Sequence, residues 1–135
     1  MGQEPLVSYL ETPATPDERE IASLLERIVA AINTKNLTLL RSVYAEDATV
    51  RMSTNKQEVL TLPEYIGKLG DLVPRVRRLR MSDALIRAND QTARAFCTSA
   101  LLLYSAARPA LHQRYFNCEK RHGLWRITEA GYLDG

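Results

Sequence analysis

The chain of 135 residues has only two cysteines and two histidines, and this scarcity excludes several kinds of site. Cys97 and Cys118 are separated by 21 positions, and the sequence contains no Cys-x-x-Cys pair and no cluster with the spacing of zinc ligands. We therefore expect two buried, free thiols in a reducing compartment, with no metal and no cofactor.

Long apolar runs are also missing. No stretch approaches the roughly 18 apolar residues of a membrane-spanning helix, and the first 16 residues lack the basic and apolar parts of a secretory signal. A cytoplasmic protein without a membrane partner is the expectation. Eighteen basic and sixteen acidic residues give a net charge of +2, too balanced for a dedicated nucleic-acid binder. The four arginines between positions 75 and 80 favour a solvated strand edge instead.

What the sequence does contain is typical of one globular domain, with 45% hydrophobic and 25% charged residues. Its length suits a single core. Residues 1–14 include Pro5 and Pro13 and have no sustained period, so we predict a flexible N-terminal arm there. Residues 15–135 are predicted to form the single domain.

Helical signals dominate the first half of that domain. Residues 15–18, Thr-Pro-Asp-Glu, form a capping box with proline at the first helical position. Apolar residues then recur at helical spacing at Ile21, Leu24, Leu25, Ile28 and Ile32. A short second helix is predicted over residues 37–44. Residues 61–64 form another capping box, which opens a third helix that ends near Pro74.

After Pro74 the hydrophobic period changes to about two, which is typical of strands. Strands are predicted at 49–52, 58–60, 75–88, 92–104, 111–121 and 124–128, with a last stretch reaching 133. Residues 53–57, 89–91 and 122–123 are predicted turns. Because helices and strands are segregated along the chain, the pattern indicates an α+β fold.

Two motifs carry a resemblance to a known family. Residues 43–50, Val-Tyr-Ala-Glu-Asp-Ala-Thr-Val, resemble a second helix that runs into a first strand. Arg114-Tyr115 and residues 121–127, Arg-His-Gly-Leu-Trp-Arg-Ile, resemble a pair of C-terminal strands. With the element order over residues 15–133, the chain resembles the nuclear transport factor 2-like superfamily, also called SnoaL-like or cystatin-like.

The resemblance implies an architecture as well as a family. It is a cone: a curved antiparallel sheet wraps around the long N-terminal helix, two shorter helices complete it, and a small-molecule pocket opens at the mouth. It also implies a homodimer formed through the open sheet. Since the superfamily includes isomerases, dehydratases, polyketide cyclases, dioxygenase small subunits and non-enzymatic domains, the fold alone assigns no activity.

The family's catalytic positions are occupied by unsuitable residues. Ketosteroid isomerases use a tyrosine on the first helix, a general base and an acid on a late strand. The resemblance places the tyrosine at Ile28 of this chain, the base at Met52 and the acid at Tyr115 or Asn117. Isoleucine and methionine cannot transfer a proton. The histidine of scytalone dehydratase-like lyases falls nearest Arg78, whose guanidinium is always charged. Neither known mechanism keeps its acid/base set.

Several other residues can still line a pocket. The complete set of candidates is Ile28, Ile32, Tyr44, Met52, Tyr65, Arg78, Tyr115, Asn117 and Glu119. On the predicted strand 111–121, side chains alternate between two faces. Tyr115, Asn117 and Glu119 share one face, and His112 and Arg114 share the other. The sequence leaves open which face points into the cone.

Three functions follow from these observations. The first is a dimeric module that binds a small hydrophobic ligand or a partner without the family's usual acid/base residues. The second is a lyase or isomerase with a rearranged site built from Tyr115, Asn117, Glu119 or His112. The third is an accessory subunit of a larger enzyme assembly.

Overall fold

Two capping boxes fix where the main helices begin. In the computed structural model, which describes residues 5–52 and 58–133, α1 spans Pro16–Asn33 and α3 spans Leu62–Leu72. At α1, the Thr15 hydroxyl accepts from the Glu18 amide at 3.1 Å and the Glu18 carboxylate accepts from the Thr15 amide at 3.2 Å. Thr61 and Glu64 repeat this arrangement at α3. Both predicted helix starts are confirmed.

Between them lie a short helix α2, Leu37–Ser42, and two strands. The remaining elements are β1 (Val7–Tyr9), β2 (Tyr44–Arg51), β3 (Val59–Thr61), β4 (Val76–Ala88), β5 (Thr92–Leu103), β6 (Ala110–Arg121) and β7 (Leu124–Tyr132). Helix α2 is shorter than predicted, because the chain is already extended at Tyr44. The polar turn predicted at 53–57 lies outside the described residues.

The strands form one curved, unclosed sheet in the order β1-β4-β5-β6-β7-β2-β3. Strands β4 to β7 are antiparallel, as predicted, and are joined in part by the expected turns. His122 and Gly123 both have positive φ, 54° and 79°, as a tight hairpin turn requires. The expectation of a wholly antiparallel sheet needs a correction, because β1 pairs with β4 and β2 pairs with β7 in parallel. Helical segments separate the members of each pair along the chain, so no tight turn imposes an antiparallel direction.

The N-terminal segment also differs from the predicted arm. Residues 7–9 form β1 at the sheet edge, where the Met81 amide donates to the Leu6 carbonyl at 2.9 Å. The Tyr9 hydroxyl donates to Glu26 on α1 at 2.7 Å. A strand of three residues is too short to leave a period in the sequence, and its backbone bonds depend on the free edge of β4.

Helix α1 covers one face of the sheet, here called the inner face; the opposite one is the outer face. The fully buried side chains of the core include Phe116, Ile21, Leu24, Leu25, Met81 and Ile127. Asn33 fixes the end of α1 over β4, since its side chain bonds both the amide and the carbonyl of Leu79, at 2.7 and 3.0 Å. Cys97 and Cys118 are free and buried on the inner face, as predicted.

Within the part of the chain that the structure describes, no helix combines the length and apolar character needed to cross a membrane. Regular alternation along a strand would place Arg77 and Arg78 on opposite faces, but a bulge in β4 between Val76 and Arg78 leaves both exposed. The bulge adds one residue to β4 and shifts the alternation by one position.

Candidate functional site

A small cavity lies where α1 and α3 meet the inner face of the sheet. Its volume is about 50 Å³. Its walls are mainly apolar and come from three helices, the turn after α3 and four strands. The lining residues are Ile28, Ile32, Leu40, Tyr65, Leu69, Leu72, Val73, Val76, Leu79, Ser99, Leu101, His112, Arg114 and Tyr132. The half-buried lining residues indicate the side of the cavity nearest to solvent, its opening; they are Leu72, Leu101, His112 and Tyr132.

Arg114 is the cation in this apolar lining. It projects from β6 onto the inner face and is only 6% exposed. Two of its nitrogens, Nε and Nη2, are buried without a hydrogen-bond partner. Its guanidinium carbon lies 4.7 Å from the ring centroid of Tyr132 and 5.0 Å from that of Phe116. These contacts stabilise the cation through the ring faces, and a side-chain hydrogen bond joins Arg114 to Tyr65, but Nε and Nη2 remain unused.

The described ionisable groups around Arg114 carry no negative charge that could balance its positive charge. Burial raises the pKa of Tyr44 and of Tyr65, although the charge of Arg114 acts against this rise at both phenols. Cys97 faces Arg114 across the β5–β6 ladder, and burial raises its pKa to about 11. Near neutral pH these side chains are therefore uncharged. The described residues that line the cavity include no aspartate or glutamate.

Three of the predicted pocket residues are brought together here. Ile28 and Ile32 form the α1 wall, and Tyr65 reaches in from α3. Tyr44 packs behind Tyr65, with ring centroids 6.1 Å apart at an interplanar angle of 68°. Met52 is half-buried against the core but is not among the residues that line the cavity.

The remaining candidates lie elsewhere. Arg78 is exposed on β4, and the polar side chains Tyr115, Asn117 and Glu119 point to the outer face. There Tyr115 donates to Glu129 at 2.8 Å, and Asn117 donates to the same carboxylate at 3.2 Å. Their predicted part in ligand binding stays a prediction, and it would have to involve the outer face rather than the cone.

A second, wider hollow of about 540 Å³ opens near the β4–β5 hairpin. Asn117 and Glu119 contribute to it, together with Arg87 and Arg94. Arg94 Nε donates to Asn117 Oδ1 at 3.0 Å, so these two side chains of the hollow already bond each other. This hollow is broad and polar, whereas the cavity at Arg114 is narrow, mainly apolar and contains unused donors.

The set of predicted pocket residues lacks four polar residues that line the cavity: Ser99, His112, Arg114 and Tyr132. Of these, His112 entered the sequence analysis only as a possible part of a rearranged catalytic site. The signal that could have found two of them is the face that His112 and Arg114 share with Phe116 and Cys118. Phenylalanine and cysteine are among the residue types most often buried, so that face was the better candidate for the inner one. The Tyr132 ring meets His112 edge-on, with centroids 5.2 Å apart.

The chemical capacity of the cavity follows from these residues. Ile28, at the position where the resemblance puts an isomerase tyrosine, contributes only apolar surface. His112 is the lining residue best suited to general acid/base work. The described lining residues provide no carboxylate to orient it, and Glu119 lies across the sheet. The geometry therefore favours binding of an apolar group beside a buried positive charge.

Comparisons with known proteins agree with this architecture. An NTF2-like protein of unknown function from Pseudomonas putida KT2440 is similar over 88% of this chain and 87% of its own, with 14% identity and a TM-score of 0.76. A candidate ketosteroid isomerase from Shewanella frigidimarina NCIMB 400 is similar over 93% and 98%, with 13% identity and a TM-score of 0.71. A candidate scytalone dehydratase from Novosphingobium aromaticivorans DSM 12444 is similar over 86% and 82%, with 15% identity and a TM-score of 0.69.

At these identities the structural likeness establishes the fold alone. No curated protein matches the sequence. The sequence model of the SnoaL-like domain matches residues 13–130, which include every helix and all of the sheet except β1 and the end of β7. The chain is therefore a member of the SnoaL-like family, with the cystatin-like fold of NTF2-like proteins.

Proposed function

We propose that this domain binds a small, mainly apolar molecule in the cavity between α1, α3 and the inner face of the sheet. The observation that carries the proposal is the apolar lining itself, with Ile28 in place of a catalytic tyrosine. A concave apolar site with a few polar groups is the usual form of a small-molecule site. Its volume of about 50 Å³ restricts the buried part of the ligand to a few heavy atoms.

The proposal can be tested with neutral probes of matching size. Methyl NMR spectra are recorded while 1-butanol or butyramide is added, and the shifts of the methyl groups of Ile28, Ile32 and Leu69 are followed. Shifts confined to methyls around the cavity are expected. Absence of any shift, or shifts spread evenly over the surface, would contradict binding in the cone.

A pair of variants on β5 separates the cavity from the rest of the sheet. Leu101 is half-buried and borders the cavity, whereas its neighbour Leu102 points to the outer face. Leu101→Trp should fill the opening and abolish the probe shifts. Leu102→Trp adds the same ring on the other face and should leave the shifts intact. Equal loss in both variants would contradict the assignment of the site.

A rearranged lyase or isomerase remains the alternative, and His112 is the observation that favours it. The expected outcome is nevertheless no turnover of steroid, polyketide or hydroxylated aromatic substrates. If the wild type turns over such a substrate and His112→Asn abolishes the turnover while retaining the fold, the domain is an enzyme and the binding proposal is wrong. Neither the accessory-subunit hypothesis nor the cytoplasmic location gains support here, and both stay predictions.

We also propose that the domain forms a homodimer through the outer face of the sheet. Leu111 and Leu133 are 62% and 51% exposed, and Leu85 and Phe96 lie beside each other on adjacent strands of the same face. Apolar side chains on an open sheet are typical of subunit contacts. Light scattering at micromolar concentration should give the mass of two chains.

A substitution on that face tests the contact directly. Phe96→Lys should give a monomer, because it introduces a charge into the centre of the proposed interface. Leu10→Lys changes a side chain that is 63% exposed near the N-terminus and should leave the dimer intact. A wild-type monomer, or a dimer that survives Phe96→Lys, would contradict the proposal.

A further inference from the structure

The burial of Arg114 in the free protein is energetically unfavourable. A charged group that leaves water loses its hydration, and the loss is recovered only when other charges or hydrogen bonds replace that water. Here Nε and Nη2 have no partner, and the nearest acidic groups are phenols and a thiol, which stay neutral. Buried polar groups in folded proteins nearly always have partners, so the unused donors point to a missing one.

The position of the guanidinium indicates where that partner enters. Arg114 lines the cavity that also contains Ile28 and Leu69, and Ser99 and His112 lie on the same inner face. Rings of Tyr132 and Phe116 flank the cation and limit its movement. The apolar walls and the cation thus form one site with two parts.

We infer that the molecule bound in this cavity is a small monocarboxylic acid, whose carboxylate pairs with Arg114 and whose apolar part contacts the walls from α1 and α3. The inference rests on the proposed binding function and specifies its ligand class. A guanidinium has planar donors that match the two oxygens of a carboxylate, and such pairs are shorter and stronger than neutral hydrogen bonds. The ligand class is a monocarboxylate, because Arg114 is the one permanently charged residue of the described lining.

A pair of probes of equal shape separates this inference from the function on which it rests. Butyrate and butyramide differ in charge but hardly in size, and their dissociation constants are measured by NMR titration at pH 7 and constant ionic strength. Butyrate should bind at least about tenfold more tightly than butyramide, as expected for a charge-assisted pair in a dry site. Equal affinities would overturn the inference and leave the proposed function standing. If neither probe binds, both proposals fail.

The same titration with sodium chloride tests for a simple anion site. Chloride should neither compete with butyrate at equal concentration nor shift the cavity methyls. If chloride displaces butyrate, the site recognises inorganic anions and the inference is wrong.

Variants of the arginine complete the test. Arg114→Met removes the charge at similar length, and it should abolish the preference for butyrate while raising the melting temperature of the free protein. Arg114→Lys keeps the charge without the planar donors and should retain only part of the preference. Arg41→Met removes an exposed arginine on α2 and should change neither property. A preference for butyrate that survives Arg114→Met would overturn the inference even if Arg114→Lys does not fold.

Discussion

The ring of Tyr115 lies against the α-carbon of Gly131 on the neighbouring strand. A β-carbon built at position 131 would be 2.6 Å from the ring atom Cε1 and 2.7 Å from the hydroxyl oxygen. The two residues face each other in the β6–β7 register, and the Tyr115 hydroxyl donates to Glu129. Glycine at 131 is thus what lets the ring cross β7 and reach this carboxylate.

Gly131→Ala should therefore destabilise the domain by about 1 kcal/mol, because the ring must move and lose its hydrogen bond. In a Tyr115→Ser background the same change should be neutral or slightly stabilising, since glycine in a strand costs about 0.5–1 kcal/mol relative to alanine. Urea unfolding of the four proteins of this double-mutant cycle measures both effects. Identical effects of Gly131→Ala in the two backgrounds would mean that the ring contact has no energetic weight.

The two cysteines should be unreactive in the folded protein. Burial raises the pKa of Cys97 to about 11 and that of Cys118 to about 12, so hardly any thiolate is present at pH 8. A colorimetric thiol assay should give no fast reaction in buffer and two equivalents in denaturant. Rapid labelling of either thiol in buffer would contradict the buried environment described for it.

Asp17 contributes to stability in a way that depends on pH. Its carboxylate accepts from the Trp125 indole at 3.0 Å and from Lys120 at 3.3 Å, and these bonds lower the pKa of Asp17. A lowered folded-state pKa gives stability that is present above the unfolded value and lost as pH falls through the folded one. The loss due to Asp17 should therefore occur below about pH 4.

Thermal unfolding between pH 3 and 7 tests this link between α1 and β7. Asp17→Ala should have a lower melting temperature than the wild type near neutral pH. At pH 3 the difference between the two melting temperatures should be smaller. Glu20 lies on the same helix, is exposed and serves as the control with Glu20→Ala. A constant difference between wild type and Asp17→Ala over the whole range would exclude the pH-dependent contribution.

The N-terminal cap of α3 should contribute to the stability of the domain, and this helix brings Tyr65 and Leu69 to the cavity. Thr61→Ala removes the hydroxyl that accepts from the Glu64 amide at 3.3 Å, and caps of this type contribute about 1 kcal/mol. Urea unfolding should register this loss. Thr38→Ala, an exposed position inside α2, should change stability little. If both substitutions have the same effect, the capping interaction is not the cause.

The fold was largely predictable because its signals are local. The capping boxes at Thr15 and Thr61, the alternation after Pro74 and the turn at residues 122–123 each act within a few residues. The parallel partners of β1 and β2 were not predictable, since each of these strands pairs with a strand more than 70 residues away. The apolar spacing of Tyr44 continues that of α2 and predicts a helix there, whereas pairing with Ile127 places Tyr44 in an extended strand.

Some residues of the site were also predictable from local patterns, whereas others were not. Ile28, Ile32 and Tyr65 could be named from sequence because the apolar side of a helix faces the core wherever the helix packs. Strand 110–121 alternates between a polar and a mixed face, and its period is the same whichever face turns inward. Only the packing of α1 against the sheet decided that Arg114 is buried and Tyr115 is not. The sequence by itself determined the elements and the family. The tertiary structure decided which charged side chain is buried, because burial depends on contacts between segments far apart in the chain.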